Sequence, residues 1–163
     1  SVVFNSRGTS DSPVTSPQFY SASYTGDTRL VAAHLMNKYP NAALIGVGWS
    51  LGANILLNYL GEEGDAAPLV AAVSLCNPFN LVVSNRHISR GFNRIYDLNL
   101  GKTLRNIFQK HRGQFEDANA RESTGVLAEM VDECRTIRDF DEQVTHKVFG
   151  WDSVDDYYQG TSG

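Results

Sequence analysis

The sequence predicts an α/β chain built on a mostly parallel sheet, and three observations carry that expectation. A short apolar run, Ala42 to Val47, leads into Gly48-Trp49-Ser50-Leu51-Gly52, the G-x-S-x-G pattern of a strand that turns sharply into a helix. Apolar runs of strand length alternate with helix-period segments from Val2 to Cys76, in the order strand, helix, strand, helix, strand. From Asn80 onward the pattern is helical, and no further strand is expected. Such alternation places helices on both faces of the sheet through right-handed crossovers, and ligands beyond the carboxyl ends of the strands.

Taken in order, Val2 to Phe4 reads as a first strand closed by the turn Asn5-Ser6-Arg7-Gly8. Residues 9–25 are rich in Ser, Thr and Pro and form a long polar loop, of the kind that is often functional or mobile. Asp27 is the expected cap of an amphipathic helix marked by Leu30, Val31, His34, Leu35 and Lys38, which Pro40 ends. The strand before Ser50 follows, then a helix with Ile55, Leu56, Tyr59 and Leu60 on one face. A polar turn over 61–67 and Pro68 introduce the third strand, Leu69 to Cys76. Ser6-Arg7-Gly8, Ser50 and Asn77-Pro78-Phe79 are thereby expected at the carboxyl ends of the strands. Helices are expected over Ile95–Phe108, Val126–Cys134 and Ile137–Val148. Residues 1–163 read as one partial domain, with the sheet and the Ser50 turn in 1–80 and a helical, lid-like block in 81–150; helices simply packed on the sheet are the alternative.

Ser50 is the chemistry-bearing residue. A serine on a tight strand-to-helix turn has its hydroxyl pushed clear of the sheet, where a base and a substrate can reach it. Its neighbours two positions away must be small, which Gly48 and Gly52 satisfy, with Ala53 as a third small residue. The competing reading is a glycine-rich turn whose serine merely caps the helix. Trp49 is expected beneath the turn and Trp151 at the end of the helical block.

Composition narrows the classes. The 163 residues suffice for one domain with a real core, and 42% hydrophobic content is ordinary for a globular chain. A net charge of −4 with scattered Lys and Arg gives no basic stripe, so nucleic acid and anionic membranes are poor expected partners. No apolar run reaches membrane-spanning length. Cys76 and Cys134 lack metal-ligand spacing and read as free thiols, which favours a reducing, intracellular compartment. No residue is assigned to a metal or a cofactor. Ser1 is not a methionine and strand begins at once, so the chain is expected to be a piece of a longer protein.

Val2-Val3-Phe4-Asn5-Ser6-Arg7-Gly8, Gly26-Asp27-Thr28-Arg29, Gly48-Trp49-Ser50-Leu51-Gly52-Ala53-Asn54 and Cys76-Asn77-Pro78-Phe79 together resemble the embryogenesis-associated branch of the α/β-hydrolases. Phe140-Asp141, Phe149-Gly150 and Val154-Asp155-Asp156-Tyr157-Tyr158 extend the resemblance over nearly the whole chain. It implies a partial α/β-hydrolase fold and a serine hydrolase of acyl esters, a carboxylesterase or a monoacylglycerol or phospholipid lipase. Ser50 would be the nucleophile and the Leu51 backbone N–H half of the oxyanion hole. Arg7, in the place of the family's D-x-R-G turn, would be structural.

The same resemblance implies that the catalytic acid, the histidine and the second oxyanion donor lie outside this chain, as does a central strand between those resembling Val2–Phe4 and Leu44–Val47. The order Ser, acid, His could be imposed on Ser50, Asp139 or Asp141, and His146, but those partners fall in the helical block, and His146 reads as a surface helix residue. His34, His87 and His111 read as solvated or packed, with His87 and Arg86 able to meet a substrate. An inactive truncated product or a hydrolase-fold interaction module is the rival reading. Oxyester and thioester substrates are not separated.

Overall fold

Parallel pairing of two strands needs a crossover, and here the residues between two apolar segments supply one helix. The computed structural model describes residues 1–162, which divide into a sheet unit of residues 21–81 with those from Gly160, and a helical unit of residues 1–20 and 82–159. The sheet unit runs α1 (Gly26–Lys38), β1 (Leu44–Trp49), α2 (Leu51–Glu63) and β2 (Leu69–Leu75). β1 and β2 pair in parallel, from Ile45 opposite Ala71 to Trp49 opposite Leu75, with one irregularity at Leu44/Ile45.

α2 lies against β1 because Gly48 has no side chain. A Cβ built on Gly48 would stand 2.6 Å from Ala53 Cα and 2.6 Å from the Gly52 carbonyl, closer than any side chain tolerates. α1 then packs on α2 through Ala32, Leu56 and Tyr59, with Leu60 and Leu69 at the margin. Asn58 ties the C-terminal residues into this unit, its amide donating to the carbonyls of Ala22 (3.1 Å) and Thr161 (3.2 Å). The cap of α1 is Thr25 rather than the expected Asp27, which lies in the first turn. The Thr25 hydroxyl donates to Glu62 instead of closing the helix end.

The sheet differs from expectation in two respects. Side chains alternate across a strand, so once Gly48 faces α2, Trp49 must face away. Trp49 is accordingly 64% exposed instead of lying beneath the turn, and Ile45 and Val47, on the same side of β1, are also exposed. Val2–Phe4 is no strand. It belongs to the helical unit and is exposed, and without a ladder partner its β-propensity has nothing to act on.

The helical unit comprises α3 (Leu81–Ile88), α4 (Arg94–Lys110), the short helices α5 (Gly113–Glu116), α6 (Ala118–Thr124) and α7 (Ala128–Val131), then α8 (Ile137–Phe140), a π-helical turn (Asp141–Thr145), α9 (His146–Val148) and α10 (Val154–Gly160). Its core joins Phe108, Phe115, Val126, Val131, Phe140 and Val144 to Val14 and Phe19 from the N-terminal segment. The Ser/Thr/Pro-rich segment is therefore pinned at Phe19, whose ring stacks on Phe115 at 5.1 Å. The helix expected over Val126–Cys134 shrinks to Ala128–Val131: Leu127 is extended, and Val126, Val131 and Cys134 are each drawn into the core without a continuous helix.

The continuous helix expected over Ile137–Val148 forms, with a π turn at its middle. Its start is fixed twice, by a capping box between Thr136 and Asp139 and by Asp97, which accepts the Ile137 N–H at 3.0 Å. One turn on from Asp97, Gly101 brings α4 so close that a Cβ would meet the Arg135 carbonyl at 2.3 Å. The π turn opens at Asp141, a buried carboxylate that accepts the Tyr158 hydroxyl at 2.7 Å. Burial pushes the Asp141 carboxyl up to about 6, against the opposing pull of the Thr145 and Tyr158 hydroxyls and the charges of His146 and Arg138.

Two tests follow from this packing. Gly48→Ala in the full-length protein is expected to destabilise by roughly 1–3 kcal/mol through overpacking, whereas Gly52→Ala, with nothing within 4 Å of its Cβ position, is neutral or stabilising by up to about 1 kcal/mol. Equal costs in denaturant titrations would show that the helix does not depend on that approach. For Asp141, a folded-state pKa above the unfolded value means stability that is full below pH ~4 and declines as pH rises through about 6, by at most about 3 kcal/mol. Asp141→Asn should remove that decline, so its stability relative to the parent rises between pH 4 and 7; parallel pH profiles of the two proteins would refute it.

Candidate active site

Ser50 is the hinge between β1 and α2, at φ +51° and ψ −121°, a backbone conformation that residues with a Cβ rarely adopt. The strain is held from both sides. Its N–H donates to the Leu75 carbonyl at the end of β2 (2.9 Å), while its own carbonyl accepts the N–H groups of Ala53 (3.0 Å) and Asn54 (3.2 Å), the first bonds of α2. Ser50 is exposed, and its hydroxyl makes no capping bond to α2. The helix-cap reading therefore fails on this geometry, because a serine that caps uses its side chain to do so.

The first bonded amide of α2 is that of Ala53, which leaves the N–H groups of Leu51 and Gly52 at the open start of a 13-residue helix. No acidic residue occupies the first turn. The macrodipole and these two donors thus present partial positive charge beside Ser50 with no carboxylate of the same turn to neutralise it. Of the two flanking glycines, Gly48 is required by contact with α2, whereas the Cβ position of Gly52 meets nothing within 4 Å, so among the described residues the expected steric need is seen on one side of the serine.

β2 ends as β1 does, on a residue with positive φ: Cys76, at +53°. Asn77, next in the chain, donates to Ser74 Oγ at 3.1 Å and folds the strand end back on itself. The sequence carries no sign of the strain at Cys76, since neither glycine nor asparagine marks it. The sequence likewise gives no chemical sign of the position of Asn54. That residue is fully buried one turn into α2, its Oδ1 accepts from Asn58 at 3.1 Å, and its Nδ2 finds no acceptor among the described residues. A buried amide donor left unpaired costs free energy, and its signal in sequence is only an asparagine on an apolar helix face.

The groups that chain order offered as partners of Ser50 are engaged within the helical unit. Asp139 accepts the N–H groups of Arg135 and Thr136, both at 2.9 Å, and Asp141 is occupied by Tyr158. His146 is half-buried rather than on the surface, with Nδ1 3.0 Å from the Trp151 carbonyl, and so fastens the end of its helix to the following turn. His34 and His87 are exposed on α1 and α3; His111 meets the Phe19 ring edge-on at 6.1 Å. Cys134 is a core thiol, donating to the Asp139 carbonyl and pushed up to about 11 by burial.

The family model described as the alpha/beta hydrolase fold matches residues 1–162. The chain is 49% identical over 99% of its length to the embryogenesis-associated protein EMB8 of Picea glauca, 34% over 98% to a monoacylglycerol lipase of Saccharomyces cerevisiae and 32% over 99% to the phospholipase ABHD3 of Mus musculus. It spans only 35%, 36% and 38% of those three proteins. No solved structure matches it. With a strained serine between strand and helix in a parallel βαβ crossover, and a family match that runs through every described residue, the chain belongs to the α/β-hydrolase fold family.

Proposed function

We propose that this chain carries the nucleophile of a serine hydrolase of acyl esters, acting on carboxylic esters of the monoacylglycerol or phospholipid class. The observation that carries the reading is the Ser50 backbone at φ +51° with a hydroxyl that does not cap its own helix. A strained serine left without a structural bond is the arrangement nucleophilic catalysis uses. The names of the relatives, a monoacylglycerol lipase and a phospholipase, support the substrate class.

In this reading the Ser50 Oγ attacks the ester carbonyl carbon as its proton passes to a histidine outside this chain, and the carbonyl π pair becomes an oxyanion. The Leu51 N–H, at the open start of α2, donates to that oxyanion with the helix dipole behind it, and a second donor outside this chain completes the pair. Collapse breaks the bond to the alcohol, which leaves with the proton, and water then releases the acid from the Ser50 ester. The bonds that already engage Asp139, Asp141 and His146, and the limited share of the relatives that the chain spans, both support base and acid supplied from elsewhere.

The test uses the full-length protein and an activated phosphonate. Labelling is expected at Ser50 and is expected to vanish in Ser50→Ala with the thermal melt unchanged, while kcat on an acyl ester panel falls by several orders of magnitude, on the order of 10⁶-fold where triad members act as a unit. Labelling that persists in Ser50→Ala removes Ser50 from the chemistry. A parent protein that neither labels nor turns over any ester makes the chain part of a non-catalytic hydrolase scaffold.

A further inference from the structure

The side chain of Asn54 has an orientation that its neighbours dictate. Asn58, one turn further along α2 on the same face, donates from Nδ2 to the backbone carbonyls of Ala22 (3.1 Å) and Thr161 (3.2 Å) as well as to Asn54 Oδ1 (3.1 Å). Carbonyls only accept, so Asn58 must present its NH2 group there. Asn54 must then meet Asn58 with its oxygen, and its own NH2 group is turned the other way. The residue is fully buried, and that group has no acceptor among the described residues. In a native interior such a donor finds a partner, protein or water.

A complementary group lies at the end of β2. Asn77 gives Nδ2 to Ser74 Oγ at 3.1 Å, while its buried Oδ1 has no donor among the described residues. Both amides belong to the sheet unit, and two routes bring them to one side of it. Ser74 pairs with Gly48 and stands one strand spacing, about 4.8 Å, from it on the face that α2 covers. There the Gly48 Cβ position is 2.6 Å from Ala53 Cα, next in the chain to Asn54. On the other route, the Asn58 partner Thr161 adjoins Ser162, whose Oγ accepts the N–H of Leu81 at 3.0 Å, a short step along the chain from Asn77. The face of α2 that carries Asn54 and Asn58 is thus turned toward the chain leaving β2.

We propose that one buried water joins Asn54 Nδ2 to Asn77 Oδ1, which makes Asn54 a positioning residue for Ser50. A backbone carbonyl could satisfy only the first of these atoms and an N–H only the second; a water both accepts and donates. Ser74, whose hydroxyl accepts from Asn77 and can also donate, supplies a third partner, and about three is the usual number for an internal water. The bridge spans the two ends that hold Ser50: the Asn54 N–H donates to the Ser50 carbonyl, and the Ser50 N–H donates to Leu75, just before Cys76 and Asn77. Tying these ends together fixes the hydroxyl at the place of attack, where a displacement of about 1 Å costs on the order of 10²-fold in rate. The positioning role rests on Ser50 being the nucleophile; the water does not.

The experiment joins a crystal structure of the full-length protein, at a resolution that shows ordered water, to kinetics of Asn54→Leu, Asn77→Leu and the double variant on an acyl ester. Density for one water within hydrogen-bond distance of both amides is expected. Each single substitution should lower kcat roughly 10-fold to 100-fold with KM little changed, and slow phosphonate labelling of Ser50 in proportion. The double variant should lose no more than the worse single one, because both substitutions remove the same water. The structure of the parent needs no variant, so a variant that fails to fold does not weaken the test. A side-chain hydroxyl in place of the water, a direct bond between the two amides, or losses that multiply in the double variant overturn the proposal. A parent that turns over esters without labelling at Ser50 ends the positioning role and the reading it rests on, while the density still decides the water.

Discussion

The approach of α2 to β1 at Gly48 is the constraint on which the sheet unit depends. Because the helix backbone lies where a side chain would be, the chain must reverse direction within one residue, and that residue is Ser50. The strain there is held by bonds that belong to the crossover itself, from the Ser50 N–H to Leu75 and from Ala53 and Asn54 to the Ser50 carbonyl. Strand pairing, helix start and serine exposure are thus one arrangement seen from three sides. The same approach sends Trp49 to the opposite face.

Much of this was legible because it is local. The G-x-S-x-G spacing and the apolar run before it specify strand, turn and helix within about a dozen residues, and the third apolar run places β2. The hinge position of Ser50 follows from the spacing; its φ does not, because strain in a non-glycine residue is imposed by neighbours. The same holds for Cys76. Gly52 illustrates the converse: the motif treats its two glycines alike, but among the described residues only Gly48 meets a neighbour.

What was illegible depends on partners distant in sequence. Val2–Phe4 has strand composition, yet composition cannot supply a ladder, and the segment joins the helical unit instead. Val14 and Phe19 sit in a stretch whose Ser, Thr and Pro content reads as loop, and their burial is decided by Phe108 and Phe115. His146 looks solvated by pattern and is half-buried because the turn at Trp151 folds back on it.

The way Phe19 is held bears on the order in which the chain is assembled. β1 and β2 pair residues about 25 positions apart, whereas Phe19 reaches Phe108 across about 90, a closure entropically dearer by roughly 1 kcal/mol. During synthesis residues 21–81 can complete their crossover while residues 1–20 still await a core that lies beyond them. The segment that leaves the ribosome earlier is the one that settles later, and until it does, Val14 and Phe19 are apolar groups in a nascent chain with no native partner yet made.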